Sequence, residues 1–372
     1  MSLASAAVNV VEAVTTLNAR VLGKLGWYPA VIGFGGYGNP RRIRVMGRVL
    51  MGTRSDERNW LGERRGWRQY FDAQVPRQPV LLRVGDIETV IYADRGGYVD
   101  HELDIPPLKA GWNTVQLQVL HRTDMLRGIR PVRASQPVGV PIRIVGEQER
   151  VGIISDVDDT VMITMVPKPL MALRYVLLEH ATRRQSVRGM AVLLKSLQFL
   201  GLRIDPPASH SPMPAVFYLS NGAWNVVPTL RRFLTRTGMP RGTLLLRPWG
   251  INAHGLPPSG TVHKLRQFGQ LKDLLPNLKW FLVGDDGERD PEIYEAIERQ
   301  YPGSVLGILV RTLSEPEHIA LHGTPFPLHP ASEERPGDPM HLSGRDGHEL
   351  QRYLYRPETL KDLRGRVRKP QR

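Results

Sequence analysis

Three aspartates follow directly on a short apolar run near the middle of the chain. Residues 151–154 are typical of a buried strand, and Asp156, Asp158 and Asp159 come immediately after them. Side chains at the ends of parallel strands converge on one crevice, and closely spaced carboxylates repel one another unless a cation lies between them. Mg²⁺ prefers such oxygen ligands and often binds through carboxylates and a phosphate. The alternative interpretation is a polar turn that happens to contain three aspartates.

A second acidic cluster of the same construction favours the metal site. It lies about 130 residues further along the chain, where Asp285, Asp286 and Asp290 follow the apolar run 280–283. Two such clusters at strand ends can hold one cation between them. The pair of clusters therefore predicts a Mg²⁺ site.

Two more polar elements stand at predicted strand or helix ends. Ser220 and Asn221 follow the apolar run 215–219, and Lys264 begins a predicted helix. Lys264 would supply positive charge beside the acidic clusters, and Ser220 and the amide of Asn221 would donate hydrogen bonds there.

In this order, the four elements resemble the haloacid dehalogenase superfamily of Mg²⁺-dependent phosphotransferases. The motifs of that superfamily are DxDx(T/V), a strand-end Ser or Thr, a distant Lys, and GDxxxxD. The matching elements of this chain are Asp156-Val157-Asp158-Asp159-Thr160, Ser220-Asn221, Lys264, and Gly284-Asp285-Asp286-Gly287-Glu288-Arg289-Asp290. Each motif alone is a weak signal, and the ordered set is specific.

The expected cofactor is Mg²⁺. Its expected ligands are Asp156, the backbone carbonyl of Asp158, and Asp285. A further carboxylate, from Asp286 or Asp290, is expected to bind directly or through water. The spacing alone leaves the choice between Asp286 and Asp290 open.

The expected reaction passes through a covalent intermediate. Asp156 attacks phosphorus in line and forms an aspartyl-phosphate. Asp158 protonates the leaving alkoxide and then deprotonates the water that hydrolyses the intermediate. Within the superfamily, an Asp at this second position marks a phosphatase. The expected phosphate-binding residues are Ser220, Asn221, Lys264 and Thr160.

A narrower resemblance is to the actin-patch-type phosphatidate phosphatases and their bacterial relatives. It rests on 155–160, on 218–225 and above all on Asp290-Pro291-Glu292-Ile293-Tyr294 after the fourth motif, and it covers roughly residues 10 to 315. The family implies Mg²⁺-dependent hydrolysis of phosphatidate to diacylglycerol. Nothing in the sequence indicates a protein partner.

The elements that must position these residues predict two domains. Around the motifs, apolar runs alternate with helical patterns, which indicates a parallel sheet with crossover helices. The predicted strands are 151–155, 215–220, 243–247, 279–284 and 305–310. The predicted helices are near 170–183, 188–200, 225–237, 261–274 and 291–300. The fold class is thus α/β, a haloacid-dehalogenase-like (Rossmann-like) domain over 150–315.

A small all-β sandwich domain is predicted before it, over 41–145. Short alternating runs at 42–50, 80–84, 89–92, 98–103 and 114–120 are separated by turns. Residues 1–40 are predicted to be a helix, over 3–25, and a connector. The remainder, 316–372, is rich in Pro, Gly and charge and is predicted to be a basic, mostly disordered tail with one short helix near 346–355.

Composition bounds the partners. The chain has 372 residues, no Cys and a formal net charge of +14, so disulfides and thiolate chemistry are excluded and polyanions are favoured. Two alternatives stay open. One is a phosphatase of a sugar or nucleotide phosphate, and the other is a nucleic-acid-binding or end-processing protein. The latter rests only on the charge and on the Arg- and Trp-containing segment 54–68; because no nucleic-acid motif is present, no nucleic acid is expected.

The expected substrate is a phosphate monoester of an anionic lipid. No apolar run is long enough to span a membrane, which predicts a cytoplasmic protein that can lie peripherally on the inner face of the membrane. The segment 165–186 supports that contact, because its apolar residues recur at helical spacing beside Lys and Arg. Packing of this segment onto the protein core is the alternative.

Overall fold

The computed structural model describes residues 16–52, 74–121, 135–164, 185–206, 212–248, 259–326 and 339–368. The chain forms two compact units. Unit 1 comprises Met1–Val145, Ala223–Pro228 and Arg247–Pro258, and unit 2 comprises Gly146–Gly222, Thr229–Leu246 and Ser259–Arg372. Among the residues described, no helix combines the length and apolar character needed to cross a bilayer.

Unit 1 is built on a seven-stranded sheet with the order β4-β3-β6-β7-β1-β2-β5. Its strands are β1 (Tyr28–Asn39), β2 (Arg42–Gly52), β3 (Pro79–Val84), β4 (Ile87–Tyr92), β5 (Tyr98–Asp104), β6 (Gly111–Val119) and β7 (Val138–Ile144). Neighbouring strands are antiparallel except β1 and β7, which are parallel. Apolar side chains from the strands, such as Val45, Leu117 and Ile142, form one buried core.

Two features of this unit were not predicted from the sequence, and its sandwich packing stays a prediction. The seven strands are joined in one hydrogen-bonded sheet, because β1 pairs with β2 on one side and with β7 on the other. The predicted connector up to residue 40 contains β1, which has glycines at four positions. A Cβ at Gly38 would lie 2.1 Å from the carbonyl oxygen of Arg42, so glycine permits the close approach of β1 and β2 there.

Unit 1 also includes the short segment Ala223–Pro228. Phe34 lies at a break in the register between β1 and β2, where a bulge re-aims a side chain. Its ring stacks on the indole of Trp224, with 4.8 Å between the ring centroids and 3° between the planes. Both side chains are buried.

Unit 2 confirms the predicted α/β class and its parallel sheet. Its strands are β8 (Val151–Ser155), β9 (Ala215–Ala223), β10 (Thr243–Arg247), β11 (Lys279–Asp285), β12 (Val305–Arg311) and β13 (Met340–Gly344). They follow the order β10-β9-β8-β11-β12-β13, and the pairings from β9 to β13 are parallel. Strands β8, β11 and β12 are buried along their whole length, which explains their unbroken apolar runs.

The helices follow the strands in alternation. They are α1 (Met190–Ile204), α2 (Val227–Arg236), α3 (Gly260–Leu274), α4 (Asp290–Gln300), α5 (Glu315–His322), α6 (Gly347–Leu354) and α7 (Pro357–Arg368). Apart from the segment near 170–183, each predicted helix of the 150–315 region lies within a few residues of an observed one.

The prediction of a mostly disordered tail was wrong for α5 and for residues 339–368, although the short helix predicted near 346–355 is present as α6. Strand β13 adds to the sheet beside β12, with Gly307 opposite Met340. Helices α6 and α7 follow, and Leu350, Leu354 and Leu363 are fully buried. Burial of these few apolar side chains stabilises the segment, although its overall composition is charged.

Several predicted features lie outside the described residues. They are the Arg- and Trp-containing segment 54–68, nearly all of the segment 165–186, and most of the loop 252–262. Of the predicted helix 3–25, residues 16–24 are described and helical.

Candidate active site

Strand β8 ends at a buried carboxylate, that of Asp156. The backbone N–H of Asp156 donates to the carbonyl of Val283 on β11 over 2.8 Å, which extends the pairing of the two strands to this residue. The Oδ1 atom of Asp156 accepts a hydrogen bond of 2.7 Å from Nζ of Lys264. The Oδ2 atom is buried and has no hydrogen-bond partner among the described residues. One carboxylate oxygen is therefore available to a ligand.

The second motif contacts the first through its serine. Oγ of Ser220, on β9, donates to Oδ2 of Asp158 over 3.0 Å. The same Oγ accepts from the backbone N–H of Gly222 over 2.9 Å. Both side chains are buried. The hydroxyl proton of Ser220 is thereby directed to Asp158.

The turn after β8 has an unusual backbone conformation at Asp159. Its φ of 57° lies in the left-handed region, which Asp tolerates better than most residues. The carboxylate of Asp159 accepts from the N–H of Thr164 over 2.7 Å. The next residue, Thr160, is fully buried, and its hydroxyl donates to Oδ2 of Asp285 over 2.8 Å. Thr160 thus contacts the acidic cluster, and its predicted phosphate contact stays a prediction.

Helix α3 brings Lys264 into the cluster. The side chain of Ser259 caps this helix by accepting from the N–H of Val262. Lys264 lies in the first turns with 1% of its surface exposed, and its ammonium group contacts Asp156 and Asp290. Burial opposes its charge, but the carboxylates of Asp156 and Asp290 outweigh burial and raise the pKa of Lys264 well above its usual value. Lys264 is therefore a fixed cation.

Three buried carboxylates form a group that could hold a metal ion. One oxygen each from Asp156, Asp285 and Asp290 lies within 4.8 Å of the others. Burial raises the pKa of Asp156 and of Asp285 well above the usual range, with further contributions from neighbouring carboxylates. The set of ligands is all oxygen and carries more negative charge than Lys264 alone balances. These properties fit Mg²⁺.

The remaining predicted ligands lie elsewhere. Oδ1 of Asp286 accepts from the N–H of Leu313 over 2.8 Å and lies 3.4 Å from Nε2 of His318. Its carboxylate is not part of the three-oxygen group. Spacing left open whether Asp286 or Asp290 joins the cluster. The structure brings Asp290 to it, because α4 begins at that residue. The carboxylate of Asp158 is also outside the group, and the metal contact expected from its backbone carbonyl stays a prediction.

Asn221 and Glu288 lie at the edge of the cluster. Nδ2 of Asn221 donates to Oε2 of Glu288 over 3.2 Å, and this oxygen is 4.0 Å from Nζ of Lys264. A Cβ at Gly260 would lie 2.7 Å from Nδ2 of Asn221, so glycine at the start of α3 leaves room for the amide. Glu288 was not singled out from the sequence.

Two other residues of the site were missed by sequence reasoning. The hydroxyl of Tyr294 donates to the carbonyl of Val283 over 2.9 Å and lies 3.5 Å from Oδ2 of Asp290. Its position four residues after Asp290 on α4 was the available signal, because such residues share a helix face. Arg311, at the end of β12, is buried and donates to the carbonyl of Asp159 over 2.7 Å. A single Arg at the end of an apolar strand does not indicate a functional role from the sequence.

Comparison with known proteins agrees with this site. Residues 151–312 match the family described as "Phosphatidate phosphatase APP1, catalytic domain". This range contains all four motifs and confirms the predicted resemblance to that family. The matched part of the chain therefore resembles the catalytic domain of a phosphatase.

Two curated yeast proteins are similar to part of the chain. Phosphatidate phosphatase APP1 of Saccharomyces cerevisiae is 26% identical over 165 residues, and the uncharacterized protein C29B5.04c of Schizosaccharomyces pombe is 26% identical over 167 residues. Each alignment covers 44% of this chain and 26% of the relative. The chain thus matches about a quarter of the length of these relatives.

Among solved structures, the carbohydrate acetylesterase XAC1771 of Xanthomonas citri aligns with 76% of this chain and 68% of its own. The TM-score is 0.25 and the identity 10%. This similarity is too low to bear on fold or function.

Proposed function

We propose that this protein is a Mg²⁺-dependent phosphatase that hydrolyses a phosphate monoester, phosphatidate, through an aspartyl-phosphate on a haloacid-dehalogenase-like domain. One observation carries the proposal. The buried carboxylate of Asp156 is paired with Lys264 through one oxygen, while its other oxygen has no hydrogen bond among the described residues. This is the arrangement that a nucleophilic carboxylate needs, since it is oriented by a cation and keeps a lone pair for attack.

In the first step, an oxygen of Asp156 attacks phosphorus, and the bond from phosphorus to the ester oxygen breaks. The leaving alkoxide takes a proton from the carboxyl group of Asp158. Lys264 lowers the repulsion between the attacking carboxylate and the phosphate, because its charge is fixed beside Asp156. The hydrogen bond from Ser220 supports the role of Asp158, since it orients that carboxyl group.

In the second step, the carboxylate of Asp158 removes a proton from water. The water oxygen attacks phosphorus of the aspartyl-phosphate, the acyl-phosphate bond breaks, and Asp156 is released as a carboxylate with inorganic phosphate. Asp158 thus returns to its protonated state. The donors available to the phosphoryl oxygens are Ser220, the amide of Asn221 and Lys264.

Mg²⁺ would be held by Asp156, Asp285 and Asp290, with the backbone carbonyl of Asp158. When bound, it would neutralise charge on the phosphate and on the cluster. The hydroxyl of Thr160 orients Asp285 by donating a hydrogen bond to its Oδ2. Asp285 is also fixed by the N–H groups of Gly287 and Glu288, at 2.9 and 3.1 Å. The cluster is therefore oriented by the protein itself.

The choice of phosphatidate rests on the family match and on the printed name of the Saccharomyces cerevisiae relative. A lipid substrate further implies that the protein acts at the surface of a membrane as a peripheral protein. The net charge of +14 is consistent with contact to anionic headgroups.

A substrate screen tests the proposal. Purified protein is given phosphatidate and lysophosphatidate in mixed micelles, a sugar phosphate, a nucleoside monophosphate and an aryl phosphate, each with Mg²⁺ and with EDTA. We expect hydrolysis of the aryl phosphate and a preference for phosphatidate, both abolished by EDTA. A preference for the sugar phosphate or the nucleotide would reject the lipid assignment. Hydrolysis that continues in EDTA would reject the role of Mg²⁺.

A further inference from the structure

The segment 311–318, which spans the end of the family match, contacts two chain neighbours of the candidate cluster. The match ends at residue 312. The segment 311–318, which runs from the end of β12 into α5, contacts Asp159 on one side and Asp286 on the other. Asp159 precedes Thr160, and Asp286 follows Asp285. The segment 311–318 therefore contacts the chain neighbour of each partner in the Thr160–Asp285 hydrogen bond.

Arg311 is the centre of the contact with Asp159. Its guanidinium donates to the carbonyl of Asp159 over 2.7 Å, to Oε1 of Glu317 over 2.6 Å and to the carbonyl of Arg345 over 3.3 Å. The side chain has 7% of its surface exposed. The carbonyl that it binds belongs to the residue with a φ of 57°. A left-handed conformation of a residue other than Gly persists only where its surroundings stabilise it. The hydrogen bond from Arg311 contributes to that stabilisation.

Glu317 holds Arg311 in turn. Burial disfavours its charge, but hydrogen bonds from the N–H and hydroxyl of Ser314 and from Arg311 outweigh burial and lower the pKa of Glu317. Glu317 is therefore an anion that is oriented by the first turn of α5. Two fixed partners, Glu317 and Asp159, thus determine the plane of the guanidinium.

The other side of the segment holds Asp286. Its carboxylate accepts from the N–H of Leu313 and lies beside the buried ring of His318, and its own N–H donates to the carbonyl of Arg311 over 3.1 Å. These contacts fix the backbone at Asp286 and hence the direction of Asp285. Asp285 lies directly opposite Arg311 in the pairing of β11 with β12.

We propose that the segment 311–318 is a positioning element of the active site, in which Arg311 and Glu317 hold the Asp159 turn so that Thr160 orients Asp285 for the metal ion. The inference rests on the proposed function for its metal. It assigns a role to Arg311, at the end of the family match, and to Glu317, which follows it. Among the described residues, neither side chain forms a hydrogen bond with the three carboxylates or with the phosphate-binding residues. Groups that orient metal ligands from behind typically change metal affinity by about 10–100-fold when removed.

The test is a titration with Mg²⁺ alone, followed by thermal unfolding, which needs no turnover. The variants are Arg311→Lys and Glu317→Gln. The control is Asp362→Asn, because Asp362 also lies on a helix and pairs with an Arg, Arg366, but neither residue is a partner of the segment 311–318. The unfolding temperature in EDTA is measured for each protein first.

We expect Arg311→Lys to raise the Mg²⁺ concentration for half-maximal stabilisation by about 10-fold. Glu317→Gln should change it in the same direction by a smaller factor, and Asp362→Asn should match the wild type. If Arg311→Lys does not fold, the Mg²⁺ affinity of Glu317→Gln tests the proposal. Mg²⁺ affinities equal to that of the wild type in the folded variants would overturn the proposal.

The same titration separates this inference from the proposed function. A wild-type protein that is stabilised by Mg²⁺ but hydrolyses no ester would reject the phosphatase, while weaker Mg²⁺ binding by Arg311→Lys would still support the positioning role. A wild-type protein that Mg²⁺ does not stabilise would overturn both.

Discussion

The two units differ in how the charge of one buried cation is balanced, that of Arg44 in unit 1 and that of Lys264 in unit 2. In unit 1, Arg44 donates to both oxygens of Asp100, at 2.6 and 2.7 Å, and to the hydroxyl of Tyr37 at 3.1 Å. Half of the Asp100 side chain is exposed, so one cation meets one carboxylate that also reaches water. In unit 2, Lys264 and the two carboxylates to which it donates hydrogen bonds, Asp156 and Asp290, are at least 98% buried, and Asp285 adds a third buried carboxylate.

The difference separates a structural ion pair from a site with a missing charge. A half-exposed pair such as Arg44–Asp100 balances its own charge and needs no further ion. Three buried carboxylates beside one ammonium are an excess of anion that folding alone would not favour. Such an excess is tolerated where a cation binds, which is why strongly perturbed carboxyl groups concentrate at functional sites.

The largest expected effect is on turnover, from Asp156→Asn. The amide cannot attack phosphorus, so kcat/KM for an aryl phosphate should fall about 10⁴-fold or more. The variant should fold, since it removes one charge from an overcrowded cluster. Wild-type rates would show that another group is the nucleophile and that Asp156 only belongs to the acidic cluster.

Next comes Lys264→Met, which removes the cation that partly balances the cluster. In EDTA the free energy of unfolding should fall by about 3–5 kcal/mol, because the buried carboxylates lose their partner. Urea denaturation measures the loss, and Mg²⁺ should restore part of it. Lys272→Met, on the exposed side of the same helix, is the control and should cost no more than about 0.5 kcal/mol. Equal costs for the two variants would argue against the cluster.

A smaller effect is expected for Arg44→Met in unit 1. The half-exposed Asp100 regains water, so the loss of stability should be about 1–2 kcal/mol. Hydrolysis of an aryl phosphate should be unchanged. Arg42→Met, which breaks an exposed pair with Glu102 on the same strand, is the control and should cost less than about 1 kcal/mol. A loss as large as that of Lys264→Met would remove the distinction between the two buried cations.

The smallest effect is a gain in stability. Burial raises the pKa of Asp285, so in EDTA the stability that its protonated form contributes is lost as pH rises through the folded-state pKa. Asp285→Asn should therefore be more stable than the wild type by roughly 1 kcal/mol at pH 8, with the difference shrinking towards pH 4. With Mg²⁺ the order should reverse, because the variant has lost a ligand. A variant that is less stable in EDTA at every pH would contradict the excess of charge.

The sheet of unit 2 could be predicted because its strands are continuous apolar runs followed by polar residues at fixed places. Strand β1 could not be predicted, since its glycines at 33, 35, 36 and 38 are typical of loops. Glycine is required at 36 and 38 because the backbone of β2 lies too close for a side chain. Strand β13 could not be predicted either. It has five residues of mixed character and becomes a strand only because β12 offers an edge for pairing.

The motif residues of the candidate site could be predicted for a similar reason. Asp156 and Asp285 lie at strand ends, Ser220 follows the apolar part of β9, and Lys264 lies in the first turns of α3, and local pattern identifies all four positions. The choice of Asp290 over Asp286 depends on where α4 begins and on the contact of Asp286 with Leu313, which are tertiary facts. The contact of Arg311 with Asp159 joins residues more than 150 positions apart and has no local signature.

The parallel pairing of β1 with β7 also determines when the sheet of unit 1 can close. Gly36 lies opposite Ile142, more than 100 residues further along the chain. Contacts between such distant residues form slowly, because chain entropy is lost before the contact is made. During synthesis β1 can pair with β2 early, but its other edge waits until β7 has emerged from the ribosome. A chain stalled between the two would present an open strand edge, on which other nascent chains can pair and aggregate.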